Sequence, residues 1–209
     1  MRKRQTKLRQ GRVQAIREHY EPRIAPDRPH YDILDWASPL TQEARFRVLA
    51  DNVSLHGKSL LDVGCGLGDL REYLVRRGID ADYTGVDVSG KMVQAALDRQ
   101  PGGRFLQADL FDGRGPFPDA GFDVVYCSGI FNLDLGNNVE FVPQAVEVFL
   151  RLARQCVVCN MLHKRAGAGD GTYFFFEPAE VLPRLRQLTP QVRLIDDYLP
   201  NDFTVICYK

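Results

Sequence analysis

Residues 60 to 70 read LLDVGCGLGDL, and the order of residue types in that run governs the reading of everything around it. An apolar strand carries an acid, Asp62, at its end; glycines follow at 64, 66 and 68; the residues beyond them read as helix. Glycine has no Cβ and tolerates positive φ, so Gly64, Gly66 and Gly68 predict a sharp strand-to-helix turn whose amides stay open to a ligand. A side chain in the middle of that loop would take up the ligand's volume. The glycine turn that opens dinucleotide sites is spaced GxGxxG and sets a pyrophosphate at the helix N-terminus. Here the spacing is GxGxG, and Asp69 stands where the third glycine of that fingerprint would be. A tight strand-to-helix turn with no ligand remains an alternative for the loop taken alone.

The flanking segments narrow the choice. After the loop, apolar or aromatic residues at 70, 73 and 74 keep a helical spacing that ends at Gly78, a C-cap residue. A short β-prone run then ends in Asp87, placed where a carboxylate at the tip of a second strand accepts ribose hydroxyls. Ser89 fits the N-cap of the next helix, which leaves Asp87 for that role. A third strand, RFLQAD, ends at Asp109, and a fourth, FDVVYCSG, ends near Ser128. Taken in order over residues 58 to about 162, these four motifs resemble those of the class I S-adenosylmethionine-dependent methyltransferases.

The resemblance implies an α/β fold: a Rossmann-like three-layer sandwich whose mostly parallel seven-stranded sheet has the order 3-2-1-4-5-7-6. VRLIDDYLP and DFTVICYK read as its closing antiparallel hairpin, joined by a short turn at Asn201 and Asp202. It further implies S-adenosylmethionine as cofactor, held by Asp62, Gly64, Cys65, Gly66, Asp87, Val88, Asp109, Leu110 and Ser128. Asp109 would lie near the adenine amino group, and the turn at Ser128 would line the methyl-transfer centre. Arg45, on the helix leading to the glycine strand, is a candidate partner for the methionine carboxylate, because guanidinium and carboxylate pair as a fork.

At 209 residues with 44% hydrophobic content, the chain suits one α/β domain with a full core. The expected division is an N-terminal helical and loop extension, 1–53, read as a lid, and a cofactor-binding domain, 54–209. No long apolar run or signal-peptide core occurs, so a membrane span is not expected and a cytoplasmic location is. Five cysteines are scattered through the predicted strands and the loop. The closest pair, Cys156 and Cys159, lies in one β-prone segment, where residues three apart point to opposite sheet faces, so a shared metal or disulfide is not expected. The four histidines lack metal-ligand spacing, and no metal is predicted.

The formal charge sums to zero, but seven of the 27 basic residues and none of the 27 acidic ones lie in residues 1–17. Such a tip suits a nucleic-acid partner, a transit sequence, or one side of an amphipathic helix, the last supported by apolar residues at 8, 13, 16 and 20. From Pro22 to Pro39 the chain is rich in proline and aromatics, and Tyr31 and Trp36 are read either as an ordinary contact with the domain or as a lid. In the lid reading Tyr31 covers the cofactor and Trp36 the acceptor.

The function expected is methyl transfer to a small-molecule acceptor. Asn132 and Asn160, following strands four and five, are candidates to orient that acceptor, and His163 is the candidate base where the acceptor is a hydroxyl. RNA or protein methylation using the basic tip, and a non-catalytic cofactor-binding module, are the alternatives. A nicotinamide-dependent oxidoreductase is disfavoured, since no YxxxK pair accompanies the loop.

Overall fold

The computed structural model describes residues 2–113, 115–167 and 171–209, with side chains from residue 11 onward, Ala166 apart. Among these, seven strands form one sheet: β1 (Ser59–Val63), β2 (Asp82–Asp87), β3 (Phe105–Gln107), β4 (Phe122–Ser128), β5 (Ala153–Leu162), β6 (Val192–Ile195) and β7 (Asp202–Tyr208). The order is β3-β2-β1-β4-β5-β7-β6, as the resemblance implies. Strands β1 to β5 run parallel, and β7 runs antiparallel between β5 and β6.

Parallel strands are covered on both faces, so their residues are apolar almost continuously and alternate between two cores. Leu60, Val124, Tyr126, Cys156, Val158 and Ile206 face one side. There they meet Phe46 and Leu49 of α3 (Pro39–Asn52), Leu70, Tyr73 and Leu74 of α4 (Asp69–Arg76), and Val93 and Ala96 of α5 (Gly90–Arg99). Leu61, Val125, Cys127, Val157, Cys159, Met161, Val205 and Cys207 face the other, against Val142, Val146 and Phe149 of α6 (Asn138–Leu152) and Val181 and Leu185 of α7 (Pro178–Leu185). Cys156 and Cys159 thus belong to different cores, and all five cysteines are free and buried. Two further helices precede the sheet, α1 (Arg2–Tyr20) and the single turn α2 (His30–Ile33). Among the described residues no helix is long and apolar enough to cross a membrane.

Helix α3 begins at Pro39, because Ser38 and Thr41 make a reciprocal capping box and Pro39 supplies the fixed φ of a first helical residue. Two local expectations differ from what forms. Strand β3 stops at Gln107, so Asp109 lies in the turn beyond it, where its carboxylate accepts the Phe111 amide at 2.9 Å. The closing hairpin is not joined by a tight turn at Asn201 and Asp202. Strand β6 ends at Ile195, residues 196–201 make the connection, and Asp202 is already the first residue of β7.

Burial of Asp202 explains that last difference. It is the partner of Arg45, an ion pair whose side chains are 2% and 0% exposed. Arg45 also donates to the Thr41 carbonyl and stacks over the Trp36 ring at 4.1 Å. Removing one member of such a pair strands an unsolvated charge, which costs far more than replacing both. Asp202→Ala is therefore expected to lower unfolding free energy by about 3–5 kcal/mol, and the double variant Arg45→Met/Asp202→Leu to lose much less. Urea unfolding followed by circular dichroism measures both, and a single-variant loss under about 1 kcal/mol would show the pair to be solvated.

Candidate cofactor and acceptor site

In an open α/β sheet ligands bind outside the carboxyl ends of the strands, where the strand order reverses. Here β1 lies between β2 and β4, so the reversal falls at the loop after Val63. The loop is docked by its own backbone: the amides of Gly64 and Cys65 both donate to the Val86 carbonyl, at 2.8 and 3.1 Å. Gly64 and Gly66 hold φ of +73° and +52°, which side chains rarely adopt. A Cβ at Gly64 would also meet Ile130 Cγ2 at 2.3 Å.

Asp87 reaches back across this loop. Its Oδ2 accepts the Gly66 amide at 3.1 Å and its Oδ1 the Ser89 amide at 2.8 Å. Ser89 in turn caps α5, its hydroxyl accepting from the Met92 amide. Burial raises the Asp87 carboxyl above its ordinary range, opposed by the amides of Ser89, Gly66 and Val88. Asp62, deeper under the loop, accepts the Tyr83 hydroxyl at 2.6 Å. Burial pushes it up to about 7 against that hydrogen bond, and the charges of Asp87 and Asp69 add to the shift. Asp69 opens α4 and is held by Gln42, Arg99 and His30 at 3.0, 3.1 and 3.3 Å.

These groups border a cavity of about 1550 Å³. Its wall includes Asp62, Gly64, Cys65, Gly66, Asp87, Val88, Asp109, Leu110 and Ser128, so the structure brings nine of the eleven expected cofactor residues around one space. The other two stand elsewhere. Arg45 is not part of the wall, because its guanidinium is spent on Asp202 and Thr41 and serves as a platform for Trp36. Tyr31 sits in α2, where its carbonyl accepts the Trp36 amide, and its ring is not in the wall.

Of the expected acceptor residues, Trp36 borders the cavity; Asn132, Asn160 and His163 do not. Asn160 is fully buried behind the wall, accepting from Ser128 Oγ at 3.3 Å and donating to Tyr198 at 2.7 Å. Asn132 is buried under Gly129, tied by its backbone to Gly129 and Phe174. His163 is buried against Phe203, and its Nδ1 accepts the Arg165 amide, so it caps a turn at residues 164–166 instead of facing a ligand.

A lid carrying Trp36 was expected; what the sequence reading did not place is helix α1 as part of that roof. Helix α1 lies across the opening and turns Arg12, Val13, Ile16 and Tyr20 into the cavity, beside Leu34 and Trp36. It is pinned at its middle and at its C-terminal end. Arg17 donates to the Val88 carbonyl at 2.7 Å and Glu21 accepts from Ser89 at 2.9 Å, while Arg12 reaches Asn137 at 2.5 Å and covers the Phe141 ring. Asp35 fastens the second strip of roof despite a φ of +60°: it binds His19 at 2.7 Å, Arg23 at 2.5 Å and the Tyr173 hydroxyl. Tyr126 and Phe141 were likewise not anticipated as wall residues. For Tyr126 a signal existed, since two residues before Ser128 on one strand means the same face.

The left-handed glycines put no side chain between the loop backbone and the cavity, and a half-buried carboxylate stands at the tip of β2. Both suit a nucleoside with a free diol and a cationic tail.

Residues 60–160 match the family described as Methyltransferase domain. A demethylmenaquinone methyltransferase of Tropheryma whipplei is 30% identical over 172 residues, covering 81% of this chain and 69% of its own length. A trans-aconitate 2-methyltransferase of Afipia carboxidovorans is 32% identical over 106 residues, 51% of this chain, which spans only 37% of that relative. In fold, the chain matches magnesium protoporphyrin IX methyltransferase of Synechocystis PCC 6803 with bound SAH at a TM-score of 0.65 and 15% identity, over 95% of this chain and 99% of that one. Sequence kinship over most of the chain, the strand order and the glycine loop agree: the protein belongs to the S-adenosylmethionine-dependent methyltransferases.

Proposed function

We propose that this chain transfers a methyl group from S-adenosylmethionine to a small-molecule acceptor inside a roofed cavity. The observation that carries the reading is the size of that cavity. At about 1550 Å³ it exceeds the roughly 300–1000 Å³ of an ordinary single-ligand pocket, which leaves room for a second molecule beside the cofactor. Bound there, S-adenosylmethionine supplies a methyl carbon already activated by its sulfonium, which an acceptor lone pair takes as the carbon–sulfur bond breaks. The protein's part is to align the acceptor and keep water away. Helix α1, Leu34 and Trp36 form the cover that does this, while Asp87 takes the ribose and the side-chain-free glycines let the nucleoside lie close to the loop.

A nucleic-acid acceptor is less well supported. Arg12 and Arg17, two of the seven cations of the basic tip, are turned inward to Asn137 and Val88, and the remaining five lie where side chains are outside the described residues.

Purified protein is expected to bind S-adenosylhomocysteine in calorimetry. Gly66→Val should abolish binding, and Asp87→Ala should weaken it by about 2–3 kcal/mol; unaltered affinity in both variants would remove the basis of the assignment. A pH series tests Asp62. Its carboxyl must be ionised to meet the cofactor's ammonium, so affinity is expected to rise about tenfold between pH 6 and 8 and to flatten in Asp62→Asn. The same shift means that the folded chain retains a proton which the unfolded chain releases near 3.8, so Asp62 contributes less to stability as pH climbs toward 7.

The roof is tested by Trp36, the only tryptophan. Its fluorescence should change on titration with S-adenosylhomocysteine, and deleting residues 1–20 should lower turnover while the remaining chain still unfolds in one cooperative transition. A silent Trp36 and an undiminished truncated enzyme would assign both segments to packing alone.

A further inference from the structure

Arg12 is the one cation in the cavity wall among the described residues, and its surroundings are unusual for an arginine. One nitrogen, Nη2, donates to Asn137 Oδ1 at 2.5 Å, and the guanidinium plane lies 3.6 Å from the centroid of Phe141. Nη1 is shut off from water and has no hydrogen-bond partner. Burial alone pulls the group down to about 10, with no described carboxylate acting to raise it, so it remains a cation at neutral pH. Leaving such a donor unsatisfied costs free energy, and a small turn of the guanidinium toward the cavity would let a bound anion offset it.

Its position separates it from the cofactor's residues. Those come from the loops after β1, β2 and β3 and from Ser128 at the end of β4. Arg12 is held instead by Asn137 and Phe141, at the start of α6, where the cavity wall continues through Leu133, Leu135 and Gln144. This is the part of the cavity left for the acceptor. Resting on the methyltransferase reading above, we infer that the acceptor carries a carboxylate and that Arg12 anchors it.

Two features of the site agree. Arginine presents a planar fork matched to a carboxylate, and Phe141 and Asn137 fix the plane of that fork before any ligand arrives. In addition, no histidine or lysine occurs among the described wall residues, and a carboxylate, ionised at neutral pH, needs no base to bind.

The test uses the whole chain saturated with S-adenosylhomocysteine and, by calorimetry, acetate, succinate, citrate and benzoate beside acetamide, succinamide and benzamide. The same acids and amides are then offered as acceptors with S-adenosylmethionine. At least one acid is expected to bind ten times more tightly than its amide, and that preference should vanish in Arg12→Gln. Arg12→Lys, which keeps the charge but not the fork, should retain part of it and guards against a variant that merely misfolds. Affinity for S-adenosylhomocysteine should stay within twofold in both. Protein that holds S-adenosylhomocysteine but prefers no acid over its amide, methylates a neutral compound best, or keeps its preference in Arg12→Gln overturns this inference alone. Wild-type protein that holds no S-adenosylhomocysteine overturns the methyltransferase reading and this inference with it.

Discussion

The carbonyl of Val86 accepts two amides, those of Gly64 and Cys65, and the geometry of the whole site follows from that docking. It fixes the end of β1 against the end of β2, so the chain must leave β1 through left-handed residues before α4 can begin. With the loop seated there, the Gly66 amide comes within reach of Asp87, and that carboxylate becomes part of the same hydrogen-bonded unit as the glycine turn. A side chain at Gly64 would be strained in φ and would collide with Ile130. The collision ties the loop after β4 to the loop after β1, which is how three separate sequence segments come to share one wall.

How much of this was legible depends on how local each cause is. The parallel strands could be read because burial on both faces leaves near-continuous apolar runs, and the glycine loop because its backbone requirement is written in consecutive residues. Ser89 could be read as the cap of α5 because a hydroxyl stands just before its helical run, and the structure has it there. The errors occur where a side chain's environment is made by distant segments. Arg45 is absorbed by Asp202, 157 positions away, and nothing near Arg45 in sequence announces that partner. His163 and Asn160 were placed correctly at the ends of their elements but point into the protein, since a strand terminus fixes position without fixing which way the last side chains turn.

The roof carries the same lesson from the opposite direction. A run of cations at the start of a chain reads as a solvated helix or a nucleic-acid tail. Yet Val13, Ile16 and Tyr20 share a helical face, and once that face is laid on the cavity Arg12 must go in with it. Its anchor, Asn137, lies 125 residues further on. Periodicity identified the apolar side of α1, but what it covers was decided by the hydrophobic opening between β2 and α6.

The two walls of the cavity are electrically unlike, and this bears on turnover. Asp62, Asp69 and Asp87 crowd beneath the glycine loop, and burial keeps the carboxyls of Asp62 and Asp87 reluctant to ionise. An acidic, poorly hydrated wall favours a ligand with positive charge, because each cation near it relieves the mutual repulsion of the acids. The methyl donor carries its sulfonium charge only until transfer; the product is a neutral thioether. In the proposed reaction the attraction between this wall and the methyl donor would therefore weaken as the sulfonium charge is lost.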